Sequence, residues 1–328
     1  MYKAFFNLTR NPFDLTPDPT CFVPTWRHNE ALAALYYGVR HHKGFVVVTG
    51  EVGTGKTLLL RCLLGLLRES KDIAYAYIFN GKLTPTEFLQ YIVSDFGLPA
   101  SGKNKCELLL DLSQYLVSRG SKKMTSVLIV DEAHHLSADI LEEIRLLTNL
   151  ETAADKLLQV VLVGQPELDE MLDSVELRQL KQRIAVRTQL RPLSTDETKK
   201  YVNQRMQIAG AGIRGAQIFP DNVVDEIFRY SRGIPRVINS ICENALVTAY
   251  ARKSSTVTPE IIQYVADEFR LDVVHPAHSE IMGINNETGI RRVINILLDL
   301  YANRRNGDKV NLVMDGNEIA RTDHEPNI

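Results

Sequence analysis

The sequence predicts an α/β fold built on a parallel sheet, followed by a small all-helical region and a short α+β tail. Three observations carry that expectation. A β-branched run, GFVVVTG, leads straight into the octet GEVGTGKT (Gly50 to Thr57) and then into LLLRCLLGLLRES, which has the apolar spacing of a buried helix. Strand-like and helix-like stretches then alternate to about residue 190, the pattern of a sheet covered by helices. From about Arg191 only helical patterns recur: TDETKKYVNQRMQIAGA, FPDNVVDEIFRYSRG, PRVINSICENALVTAYARKS and TPEIIQYVADEFRL.

The octet meets every position of the phosphate-loop pattern G-x-x-x-x-G-K-[ST] in the required strand, loop, helix order. Gly50, Gly53 and Gly55 let consecutive backbone N–H groups turn toward phosphate oxygens. Glu51, Val52 and Thr54 fill the loop, and the helix that begins near Leu58 adds its positive dipole end. Lys56 is placed to reach the β- and γ-phosphates, and the Thr57 hydroxyl to ligate Mg²⁺.

In chain order, NPFDLTPDP and FVPT exclude a long helix from residues 1–30 and suggest an extended segment across the core, anchored by Phe5, Phe6, Phe13 and Phe22. HNEALAALYYGVRHH has helical spacing through Ala31, Leu35 and Val39; it either walls off an adenine base or only packs on the sheet. IAYAYIFN reads as a strand ending at Asn80, and TPTEFLQYIVSDFGL as a helix opened by Thr84 or Thr86. After the helical CELLLDLSQYLVSRG, TSVLIVDEAHHL gives a fully buried strand with two carboxylates at its end. Asp131 is suited to hold Mg²⁺ and Glu132 to orient and polarise an attacking water. Beyond the helix ADILEEIRLLTNLE, the strand LLQVVLVGQPEL ends at Gln165, an amide that either hydrogen-bonds a γ-phosphate or water, or simply turns the chain before Pro166. LDSVELRQLKQRIAV, with Arg178, Lys181, Arg183 and Arg187, reads as a solvated helix face. In the helical region Thr195 or Asp196, Asp221 and Thr258 are placed as caps, and Pro220, Pro235 and Pro259 mark helix starts. The tail holds a polar linker, an amphipathic IRRVINILLDLYANRR and a hairpin pattern around Asp315 and Gly316.

At 328 residues and 45% hydrophobic composition there is room for two domains and a sizeable core. The apolar runs fall short of the ~18 residues that cross a bilayer, and the first residues lack the apolar core of a signal peptide, so the expectation is no transmembrane segment and a cytoplasmic location. A net charge of −2 excludes a general polycation, leaving nucleic-acid binding to a local patch. Cys21, Cys62, Cys106 and Cys242 have no metal-ligand spacing and read as reduced, buried thiols.

Together, PFDLTPDP, RHNEALAALYYGV, GEVGTGKT, IVDEAHHL, VLVGQPEL, LKQRI and GIPRVIN resemble the AAA+ ATPases, in the branch of the general secretion pathway A proteins. That resemblance covers roughly residues 10–270. It implies an N-terminal segment (1–26), a nucleotide-binding core (27–191), a helical lid (192–272) and a tail (273–328). It implies ATP and Mg²⁺ as ligands, and a homo-oligomeric ring or filament that hydrolyses ATP at subunit interfaces. By the same resemblance Asn80 restrains Glu132, Gln165 is sensor 1, Arg236 of Gly233-Ile234-Pro235-Arg236 is sensor 2, and Arg183, chosen over Arg178 for its nearness to the next strand, is the arginine finger. The favoured role is remodelling or assembling a protein partner in membrane-associated secretion machinery, with recruitment to the inner membrane. The alternative is a DNA-associated AAA+ regulator of transposition or another DNA transaction, gripping phosphates with Lys181, Arg187, Lys199 and Lys200. A helicase reading of DEAH fails because the second region is helical and too small, and Glu132 and Arg236 argue against a switch without turnover.

Overall fold

The computed structural model describes residues 1–79, 83–151 and 156–271. Five strands, β1 (Phe45–Gly50), β2 (Ile73–Ile78), β3 (Thr125–Val130), β4 (Leu158–Gly164) and β5 (Ile184–Leu190), form one parallel sheet in the order β2-β3-β4-β1-β5. Its inner strands β1, β3 and β4 are buried throughout, as their unbroken apolar runs require. Because successive side chains of a strand point to opposite faces, Phe45 and Val47 enter one core with Leu128, Val130, Val160 and Leu162. Val46 and Val48 enter the other, with Val127, Ile129, Val161 and Val163. After β1 the chain crosses to the far edge at β2, and after β4 it crosses in the opposite direction to β5. The β1/β4 boundary is therefore the switch point where open parallel sheets form a crevice at their carboxyl ends.

Strand β5 corrects the reading of LDSVELRQLKQRIAV, residues 172–186, as a solvated helix face. Only Arg178–Lys181 is helical, and Ile184, Val186 and Thr188 then alternate half-buried with exposed neighbours, the period of an edge strand. Cys106 is exposed, unlike the other three cysteines, because it lies in the first turn of the helix Lys105–Ser121. Asn80 and the tail 273–328 lie outside the described residues.

The helices Thr195–Ile208, Asp221–Ser231, Pro235–Ala251 and Pro259–Glu268 share a separate core containing Val202, Met206, Ile227, Ile241, Leu246 and Ile262. The first is opened by a capping box of Ser194 with Glu197, one residue earlier than the Thr195 or Asp196 expected as caps. Most of the N-terminal segment joins this helical core, in which Phe6, Leu8, Phe13 and Val23 are buried, while Phe22 packs against the core on one face of the sheet. Phe5 is 40% exposed and packs edge-on against Phe6 and Tyr250, while Phe22 stands edge-on to His28.

A buried cation tethers the segment. The Arg205 guanidinium donates to the carbonyls of Pro12 (2.5 Å), Asp14 (3.3 Å) and Cys21 (3.4 Å), and the Thr9 N–H donates to the Ala209 carbonyl at 2.8 Å. Buried carbonyls left without a donor are costly, so Arg205→Ala should lower stability by about 2–4 kcal/mol in urea denaturation and open residues 9–22 to limited proteolysis. Unchanged stability together with an unchanged cleavage pattern would contradict this tether.

Candidate nucleotide-binding cleft

At the carboxyl end of β1 the chain turns through Glu51–Gly55 into the helix Lys56–Arg68. Gly53 (φ 84°) and Gly55 (φ 101°) occupy the left-handed region that side chains resist. Gly55 is the N-cap of the helix and no side chain caps it, which leaves the first-turn N–H groups for an anion. Thr54 is fully buried beneath the loop and its hydroxyl donates to the Glu51 carbonyl at 2.8 Å. A Cβ on Gly50 would lie 2.9 Å from that hydroxyl and 2.8 Å from the Leu190 carbonyl, so the approach of β5 demands glycine. The Lys56 ammonium lies across the loop, donating to the carbonyls of Gly50 (2.6 Å) and Glu51 (3.1 Å). Burial lowers its pKa, and the charges of Glu132, Asp131 and Glu51 oppose that shift.

His28 supports the loop from behind. Its Nε2 lies 3.1 Å from the Thr54 carbonyl and its Nδ1 2.8 Å from the hydroxyl of Thr25, the N-cap of the helix Trp26–Arg40. A carbonyl only accepts, so the proton is on Nε2 and Nδ1 accepts from Thr25. Burial lowers the His28 pKa and favours this neutral form. His28 was not singled out in the sequence, yet it continues the apolar stripe of Ala31, Leu35 and Val39 at helical spacing, where a histidine is buried by position.

Beside the loop, β3 ends in the carboxylate pair. Asp131 is 4% exposed; its Oδ2 accepts from the Tyr77 hydroxyl at 3.1 Å and its Oδ1 from the Glu132 N–H at 2.9 Å. Burial raises its pKa, and among the described residues no cationic side chain forms an ion pair with it. Tyr77, on the neighbouring strand β2, is a second residue that sequence reasoning missed, since only the pairing of β2 with β3 brings it there. Glu132 has φ 52°, a strained conformation for a residue with a side chain, which turns the chain sharply at the strand end. Its Oε2 is buried without a hydrogen-bond partner and lies 3.5 Å from His134 Nδ1.

Gln165, at the end of β4, and Arg236, second residue of the helix Pro235–Ala251, complete the cleft. The Arg236 N–H donates to the Gly53 carbonyl at 3.2 Å, joining the helical region directly to the loop. The cleft is open to solvent. Val52, Gly53, Gly55, Lys56, Thr57 and Leu58 line it together with Glu132, Gln165 and Arg236, whereas Gly50, Glu51 and Thr54 do not. Its other wall is Asp14–Asp18 of the N-terminal segment; the helix Trp26–Arg40, offered as an adenine wall, does not line it. Arg183 lies elsewhere, donating to the Arg145 carbonyl (3.0 Å) and the Thr148 hydroxyl (3.1 Å) at the end of the helix Ala138–Leu147. Arg178 is exposed.

These residues fit a nucleotide triphosphate with its metal. The uncapped helix start and Lys56 suit phosphate oxygens, and a buried aspartate without a cationic partner, with the Thr57 hydroxyl, suits Mg²⁺.

Residues 39–172 match the model of an AAA domain family. The chain is 46% identical over 269 residues, 82% of its length, to general secretion pathway protein A of Aeromonas hydrophila, and it spans 48% of that relative's length. The sheet and helical region also superpose on solved structures. The ORC2 protein of Aeropyrum pernix, in ADPNP-ADP complexes, gives a TM-score of 0.57 at 18% identity over 79% of this chain and 71% of that one. Cdc6p from Pyrobaculum aerophilum gives 0.59 at 19% identity over 81% and 70%. At such identities these two establish the fold alone. With the loop, the paired carboxylates and the identity to the secretion-pathway relative taken together, the chain belongs to the AAA+ ATPases, in the branch that includes general secretion pathway protein A.

Proposed function

We propose that this chain binds and hydrolyses Mg-ATP and uses the cycle to remodel or assemble a protein partner in a secretion or envelope-export system. One observation carries the catalytic part: the phosphate loop, Glu132, Gln165 and, from the helical region, Arg236 all line one cleft, with Asp131 buried next to Glu132 behind it. Thr57 and Asp131 would hold Mg²⁺, which supplies charge neutralisation on the phosphates. Glu132 accepts a proton from water as the water oxygen bonds to the γ-phosphorus and the bridging P–O bond to ADP breaks. Arg236 ties closure of the helical region to nucleotide, because its backbone already sits on Gly53.

The secretion role rests on the identity to the Aeromonas relative. Among the described residues no helix is long and apolar enough to cross a membrane. The DNA-associated alternative loses support from the charges it needs: Lys181 pairs with Asp173 (2.9 Å), Arg187 with Asp169 (2.5 Å) and Asp173 (3.5 Å), and Lys199 with Asp225 (3.0 Å). Three of the four cations named for that role are thus matched by acids and, among the described residues, only the exposed Lys200 is not, which leaves phosphates little net field.

We further propose that the active site is shared between subunits of a homo-oligomer. The trans-acting arginine is Arg183 or the exposed Arg178; the bonds of Arg183 to Arg145 and Thr148 would have to yield for it to reach a neighbour.

Glu132→Gln should bind Mg-ATP normally and hydrolyse it at least ~100-fold more slowly in a phosphate-release assay. Near-parental turnover would remove Glu132 as the base. Activity per subunit should rise with protein concentration, and an inactive finger variant (Arg183→Ala or Arg178→Ala) should regain partial activity when mixed with Lys56→Ala subunits, since a trans-acting arginine is worth ~10³ or more in rate. Concentration-independent turnover with no rescue in either mixture would refute a shared site.

A further inference from the structure

His134 sits between the two residues on which hydrolysis is proposed to depend. It is 6% exposed. Its Nδ1 faces Glu132 Oε2 at 3.5 Å and the Gln165 main-chain N–H at 3.3 Å, while its Nε2 lies 2.9 Å from the terminal amide nitrogen of Gln165. Burial lowers its pKa, so the ring is neutral and carries a single N–H. A metal on Glu132, His134 and His135, whose ligand atoms lie within 4.8 Å of one another, would have to displace Gln165, because both ring nitrogens already face it.

One proton and two candidate acceptors allow two arrangements. With the proton on Nδ1, the ring donates toward Glu132 after a closure of a few tenths of an ångström, and Nε2 accepts from the Gln165 amide nitrogen. With the proton on Nε2, the ring donates to the Gln165 amide oxygen, turned to face it, and Nδ1 accepts from the Gln165 main-chain N–H. Glu132 Oε2 is then left without a donor and is free to accept from water; in the structure Oε2 has no donor while the Gln165 amide nitrogen faces Nε2, so the contact of the first arrangement is not yet closed. The side of its amide that Gln165 presents therefore dictates whether Glu132 is held or released.

We propose that His134 is a positioning residue that couples Gln165 to Glu132, so that the contact Gln165 makes with nucleotide sets the readiness of the carboxylate. This rests on the reading of Glu132 as the base. Neither ring nitrogen is assigned a contact with ATP, so the role is separable from binding.

The test is a double-mutant cycle on steady-state ATP hydrolysis by the full chain, with ATP affinity measured in parallel. His134→Ala should lower kcat ~10-fold or more while ATP affinity stays within ~3-fold, and the His134→Ala/Gln165→Ala double variant should be no slower than the slower single variant. His134→Asn retains a polar group near Nδ1 but none near Nε2, so packing is largely kept and the Gln165 amide link is lost; its kcat should fall as in His134→Ala. If His134→Ala fails to bind ATP, His134→Asn decides by the same criteria. Parental kcat in His134→Asn, or losses that multiply in the double variant, would overturn the coupling. A slow Glu132→Gln with normal His134 variants would sink the coupling alone; equal turnover by parent and Glu132→Gln would sink the reading of Glu132 beneath it.

Discussion

The parallel register of β1 with its neighbours is the constraint on which the cleft depends. Thr49 pairs with Gly164 on β4 and Gly50 with Leu190 on β5, while Val130 on β3 pairs with Leu162 on β4. The loop, the Asp131/Glu132 pair and Gln165 therefore leave the sheet from the same end, within a residue or two of one level. A one-residue slip would invert every inward side chain of β1, exchanging Val47 for Val46 between two fully packed cores. The energetic penalty of that exchange, rather than any contact with nucleotide, holds the loop in place.

Around this fixed centre the adjustable contacts are few. His28 fastens the loop to the N-terminal side through the Thr54 carbonyl, and Arg236 fastens it to the helical region through the Gly53 carbonyl. The N-terminal segment is bound in turn to the helical region by Arg205 and by the buried Phe6 and Phe13. The wall formed by Asp14–Asp18 and the helix bearing Arg236 are thus parts of one assembly that meets the loop from both sides.

Much of this was legible in the sequence because it is local. The octet, the apolar strand ending in Asp131 and Glu132, and the proline-marked start of the helix bearing Arg236 are each contiguous, and each lies where the reading puts it. What was missed depends on pairing across the sheet or between distant segments. Tyr77 meets Asp131 only because β2 adds beside β3, and His134 meets Gln165 only because β3 lies beside β4. Strand β5 followed from the family resemblance but not from its own residues, because its alternation of Ile184, Val186 and Thr188 is interrupted by charged and polar residues that suit a solvated edge as well as a helix face. The N-terminal prolines showed that the segment was extended but not which core it would join, a choice made by the apolar surface of the helical region.

The claim that this cleft is a nucleotide site is tested most directly by calorimetric titration of the full chain with Mg-ATP, beside Lys56→Ala. The parent should bind one nucleotide per chain, and the variant, still folded by circular dichroism, at least ~30-fold more weakly, since it loses a charge-assisted contact to phosphate worth about 2 kcal/mol or more. Equal affinity in parent and variant, or no binding by the parent, would contradict the account.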